Sequence, residues 1–171
     1  MGIKSNRLYK NFIESFPIVF LFFLVFTSFD LSIDYILNIS FNLVYILIFF
    51  WILKKPETLG VGLIFLAGII NDVLLNLPIG ISSINYLILS GIASFIRSRT
   101  LKPNLLYDWF FFLLSILIVN SIYFIVLTLI FSLSINYQLL LTNSFFTFLI
   151  YPLFSKIFNK IYLLNINKQN D

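Results

Sequence analysis

Six apolar runs, each closed off by charges, a proline or a short polar turn, decide most of what this chain can fold into. They cover residues 16–31, 38–53, 59–75, 79–96, 107–133 and 137–158. A bilayer core of about 30 Å takes about 20 apolar residues of helix to cross, and most of the runs reach or approach that length. Hydrocarbon offers no water to the backbone, so such segments must satisfy their own N–H and C=O groups as helices. The chain is 60% hydrophobic and 11% charged, whereas a soluble domain carries about a quarter charged residues. The reading is an all-α membrane protein, a six-transmembrane-helix bundle forming one integral domain over residues 1–171. No polar stretch is long enough to fold separately. The second run is short, which predicts that it absorbs part of the preceding turn or thins the bilayer locally.

The charges orient the bundle. Six crossings put both termini on one side, and assigning that side to the cytoplasm places all eleven Lys and Arg residues there. Asp30 and Asp34 then fall on the outer side. Such a division follows the rule that basic residues stay inside, so N-in, C-in is the predicted topology. Thr27-Ser28-Phe29-Asp30 is a poor small-x-small cleavage site, so the first run is read as a retained helix. The net charge of +4 does not point to nucleic acid, because the basic residues sit at the ends of apolar runs.

Enzymatic readings find little to work with. The chain has no Cys and no His, which excludes disulfides, thiol nucleophiles, haem ligation and the usual zinc sites. A serine protease within the membrane would lack a base, since every Lys lies at a boundary. Metal-dependent transfer chemistry needs several acids together, and Asp72 stands alone at its depth. The expectation is a non-enzyme without cofactor or metal. The composition also carries the bias of an AT-rich coding sequence, with 22 Phe and Ala only at 67 and 93. The abundance of Asn therefore carries reduced weight.

The most informative stretch is Pro56 to Tyr86. It holds Asp72, read as the only carboxylate well inside an apolar run, together with Gly60, Gly62, Gly68 and Gly80. A carboxylate at mid-bilayer costs about 2.5–3.5 kcal/mol on insertion scales, so it is expected to face protein or a cavity. Gly68 lies one turn before Asp72 on the same helix face, where it permits a neighbouring helix to come close. Two readings follow: an ion- or proton-coupling acid, or a packing and hydrogen-bonding residue at a helix or partner contact. The absence of a second intramembrane charge favours the contact. The fourth run has a stripe of small residues at Gly80, Ser83, Ser90, Gly91 and Ser94, with Asn85 and Tyr86 beside it, which reads as tight helix packing. In the last run Asn143, Thr147 and Tyr151 recur every four residues, and Pro152 lies near the inner end. A binding cavity among the third to sixth helices is the alternative these polar stripes leave open.

Several of these residues resemble the rod-shape-determining MreD family. The stretch Phe50-Trp51-Ile52-Leu53-Lys54-Lys55-Pro56 is followed by Gly60-Val61-Gly62, by Gly68-x-x-x-Asp72, and by Leu77-Pro78-Ile79-Gly80-Ile81-Ser82-Ser83. Tyr151-Pro152 followed by Lys156 and Lys160 is similar to the family's last helix. Asn76 stands where the family often has glycine, and Asn tolerates a left-handed backbone. The resemblance implies a bacterial inner-membrane scaffold of the cell-elongation complex, associated with MreC, with MreB filaments, and with RodA and a class B penicillin-binding protein. It implies no catalysis. Asp72, Gly68, Gly80, Asn76, Ser83, Asn143 and Pro152 are the expected helix- or partner-contact residues, with membrane lipid around them and no nucleic acid. The runner-up is the substrate-binding subunit of an energy-coupling-factor importer, also a six-helix bundle and thought to share the broad fold, or a small proton-coupled transporter.

Overall fold

The computed structural model describes residues 15–27, 41–100, 104–133 and 136–167. Helices account for nearly all of them. In chain order these are α1 (Ser15–Phe26), α2 (Leu43–Lys54), α3 (Val61–Leu74), α4 (Ile81–Arg99), α5 (Leu105–Ile125) and α6 (Tyr137–Asn167). A single turn of 3-10 helix, Pro56–Thr58, follows α2, and α5 widens into a π-helical turn over Val126–Ile130.

The bundle is built around α2. Every residue from Leu43 to Ile52 is buried, which explains why this segment is apolar on all sides rather than on one stripe. Twelve residues span only about 18 Å of helix, so its ends are set by local chemistry. Asn42 caps the start, its side chain accepting from the Tyr45 amide at 3.1 Å, and Pro56 enters directly after the last turn. The run expected from residue 38 thus begins its helix at Leu43, while residues 38–40 lie outside the described part. Rings from the surrounding helices close on α2. Phe49 meets Phe112 of α5 and Tyr151 of α6 at 5.1 and 5.9 Å, Phe50 meets Phe158 at 5.6 Å, and Tyr45 meets Tyr86 of α4 edge-on at 5.8 Å. From α1, Leu21, Leu24 and Val25 are buried in the same core.

Two antiparallel hairpins stand around this centre, α3 with α4 and α5 with α6. The second hairpin contains an unusual join. Pro152 sits inside α6 without ending it. Proline has no amide hydrogen, so the carbonyl of Phe148, one turn earlier, loses its helical partner. The Trp109 indole Nε1–H of α5 donates to that carbonyl at 2.8 Å, and the Trp109 ring stacks on Phe148 with centroids 4.7 Å apart. The proline expected as a helix contact therefore acts through the carbonyl it frees.

Among the described residues two helices are long and apolar enough to cross a membrane, Leu105–Ile130 and Tyr137–Leu164. α1, α2 and α3 are apolar but shorter, and α4 carries more polar residues. Helix bounds fall within a few residues of the apolar runs, except that α6 continues well past 158 to Asn167.

Candidate functional site

The turn between α3 and α4 and the helix ends beside it bring together five of the residues singled out in the sequence: Gly68, Asp72, Asn76, Gly80 and Ser83. α3 ends because Asn76 adopts a left-handed backbone, with φ of 52°. The amides of Asn76 and Leu77 then turn back to the carbonyls of Val73 and Asp72, at 3.4 and 2.9 Å. This paired closure is the usual finish to a helix whose last residue is left-handed, and Pro78 prevents resumption. Gly80 takes φ of +102°, a conformation glycine reaches without strain, and α4 begins at Ile81.

Asp72 is fully buried and faces the first turn of α4. Its Oδ2 accepts from the Gly80 amide at 2.7 Å, and its Oδ1 from the Ser82 amide at 2.9 Å. The opening amides of a helix have no partner within the helix, and the positive end of the helix dipole favours an anion there. Asp72 therefore caps α4 from the preceding helix. The eight-residue spacing to Gly80 has a physical meaning: it is the path from the last turn of α3, around the Asn76 turn, to the first free amide of α4. Four residues earlier Gly68 lies against Ser83. A Cβ at 68 would collide with the Ser83 backbone and come within 2.7 Å of its Oγ. Ser83 Oγ in turn donates to the Phe65 carbonyl at 2.9 Å, and Asn71 Nδ2 donates to Ser82 Oγ at 2.9 Å.

This arrangement corrects one expectation. Asp72 was a candidate for a contact with a partner's helix, but it has no exposed surface and both oxygens are engaged within the chain. A second carboxylate is buried at the boundary of its run: Asp108, in the first turn of α5, is 7% exposed and pairs with Lys54 at 3.6 Å. The pair joins the end of α2 to the start of α5, where the cation and the anion each suit the local helix dipole. Its sequence signal was an acid four residues after the helix-capping Asn104. A second correction concerns Gly91. Among the described residues nothing lies within 4 Å of the position of a Cβ there, so the small-residue stripe of α4 is divided between an inward and an outward face.

Beside the Asp72 turn lies a cavity of about 280 Å³, close to the lower end of small-molecule sites. Its walls come from the start of α2, the end of α3, the start of α4, the latter half of α5 and the start of α6. Six asparagines reach it, Asn42, Asn71, Asn85, Asn120, Asn136 and Asn143. Tyr45, Tyr86 and Tyr123 add phenols, and Ser82, Ser144 and Thr147 add hydroxyls. No charged side chain lines it among the described residues. Some of the polar groups hold one another: Asn120 Nδ2 donates to Ser144 Oγ at 2.6 Å, and Thr147 Oγ1 accepts from the Asn42 amide at 2.9 Å. Asn143, a predicted contact residue, is on this wall with Thr147, whereas Tyr151 turns into the aromatic core and stacks on Phe112 at 4.4 Å. Asp72 stands behind Ser82 and does not line the cavity. Among the described residues no three carboxylates gather where a metal could be held.

Among the described residues the fold and this site define an all-helical protein with two helices long and apolar enough to cross a membrane, a clasped α3–α4 hairpin and an uncharged polar cavity. Compared with family models, curated proteins and solved structures, the chain finds no match in any of the three.

Proposed function

We propose that this protein is a non-catalytic scaffold of the bacterial cytoplasmic membrane, crossing it six times with both termini inside. Its role is to organise peptidoglycan synthesis along the lateral wall through partners similar to MreC, MreB filaments, RodA and a class B penicillin-binding protein. The observation that carries this reading is the outer surface of the α3–α4 hairpin. Gly62, Leu66 and Val73 share one exposed face of α3, and Ile84, Gly91 and Phe95 share one of α4. Both glycines meet open space, and small residues on an apolar helix face let a second helix approach its backbone. The hairpin is closed inward by Asp72 and Gly68, so the residues that carry the MreD resemblance fix the shape of a surface rather than touch a partner themselves. Lys54, Lys55, Arg97 and Arg99 end their helices at the side opposite the cavity, in keeping with a cytoplasmic placement of that side.

The test is a pull-down of the tagged protein from native membranes with partners identified by mass spectrometry, run on wild type, Gly62→Leu and Gly91→Leu. Among the described residues nothing lies within 4 Å of a Cβ added at either position. The expected result is an MreC-like protein with the wild type, and its loss from at least one variant at normal protein level. Recovery of an ATPase module instead would favour the importer-subunit reading, for which the neutral cavity is the specific supporting observation.

A further inference from the structure

We propose that the cavity at the Asp72 end of the bundle is a binding site for a neutral, polyhydroxylated small molecule or head group, about one monosaccharide in size. The inference is independent of the scaffold reading and its failure would leave that reading standing.

Asn85 carries the argument. It is 2% exposed, it lies on the cavity wall, and its carboxamide makes no hydrogen bond to any described residue. A carboxamide offers two donor hydrogens and an acceptor oxygen, and buried polar groups in native proteins are almost always paired. The groups of Asn85 therefore need a partner inside the cavity. Neighbouring amides are half-used in the same way. Asn120 and Asn71 each donate through Nδ2 to a serine hydroxyl, and no hydrogen bond from a described residue engages their Oδ1 acceptors. Asn42 accepts through its Oδ1, and its Nδ2 has no described acceptor. Unused donors and unused acceptors thus both line the space, which suits hydroxyls, since each hydroxyl both gives and takes a hydrogen bond.

Charge sets the class. With no Lys, Arg, Asp or Glu on the described wall, an ionised ligand would be desolvated without a counter-charge, which is strongly disfavoured. Size sets the limit: about 280 Å³ corresponds to roughly nine waters at their share of liquid volume, enough for one sugar ring and its hydroxyls. Leu139, partly exposed at the rim, and Leu75 and Ile116 supply apolar contacts for the ring's C–H face. The mouth lies at the end of the bundle away from Lys54 and Arg97, so the ligand arrives from the side opposite the basic helix ends.

The same chemistry could reach the site as a free sugar or as a glycolipid head group, and the experiment separates them. Full-length protein is purified in a zwitterionic detergent without sugar head groups and titrated calorimetrically with glucose and N-acetylglucosamine. Glucosamine and glucuronate serve as charged counterparts, and nanodiscs with or without a monoglucosyl lipid form the lipid arm. Saturable binding of a neutral probe in either arm, at least tenfold weaker for both charged sugars, is expected. Asn85→Leu should weaken it at least tenfold at an unchanged or raised melting temperature. If that variant does not fold, Leu139→Trp closes the mouth without removing a hydrogen bond and should give the same loss. No saturable binding in either arm, equal binding of charged sugars, or unweakened binding in a folded Asn85→Leu or Leu139→Trp protein would overturn the proposal.

Discussion

The join between α5 and α6 can be tested with a double-mutant cycle. Because Pro152 has no amide hydrogen, Phe148's carbonyl depends on the Trp109 indole, 2.8 Å away. Trp109→Phe keeps an aromatic ring against Phe148 but removes the N–H. An acceptor left unpaired in a buried setting costs about 1–3 kcal/mol, and the partial burial of this carbonyl places the expected loss near 1–2 kcal/mol. Pro152→Ala restores an amide one turn beyond Phe148, so the carbonyl regains a helical partner. In that background Trp109→Phe should cost only its lost packing, giving a coupling energy of about 1 kcal/mol between two side chains on different helices. Pro152→Ala alone should be neutral or stabilising, since proline is the least favourable residue in a helix interior. Reversible unfolding in mixed micelles, followed by far-ultraviolet circular dichroism, measures all four proteins. Equal costs of Trp109→Phe in both backgrounds would refute the idea that proline and indole share one carbonyl.

Further outcomes follow from the same geometry. Gly68→Ala forces α3 and α4 apart at Ser83 and should cost about 1–3 kcal/mol by the same unfolding assay, in the range of overpacked interiors. Lys54→Met strands Asp108 and should cost about 1–3 kcal/mol, below the range for sealed pairs because Lys54 reaches water, while adding Asp108→Leu should recover most of it. The chain has no cysteine, so single cysteines at Ser32 and Lys102 report topology with an impermeant maleimide on intact cells. Both positions lie outside the described residues, and it is the proposed six-span topology that expects position 32 to label directly and position 102 only after the membrane is opened.

Some of this was legible in the sequence because it is local. Prolines, charges and short polar turns bound each helix, and the all-round apolarity of residues 43–52 belongs to a helix enclosed by others. Gly68, Asp72 and Gly80 stood out by spacing, and Asn76 was recognisable as able to take a left-handed turn. The direction of Asp72 was not legible. An acid near a helix end can face a partner, an ion or the next helix, and only the path of the chain through Asn76 and Pro78 decides between them. The cavity was legible only as an alternative: its walls come from five separate helices, α2 among them, and the bias toward Asn made any single asparagine uninformative. Trp109 was missed because the orphaned carbonyl lies on α6 and its donor on α5. Gly91 looked like a packing residue by composition, but which side of α4 it occupies depends on how the bundle is assembled.

The central claim is that Asp72 is a clasp inside the hairpin and not a contact with a partner. The most direct measurement pairs the unfolding free energy of Asp72→Ala and Asp72→Asn with partner recovery per molecule of folded protein. Removing both acceptors leaves the Gly80 and Ser82 amides unpaired, so Asp72→Ala should lose about 2–4 kcal/mol, with Asp72→Asn between it and wild type. Partner recovery, normalised to folded protein, should stay at the wild-type level. Wild-type stability together with lost partner recovery would contradict the account and turn Asp72 outward.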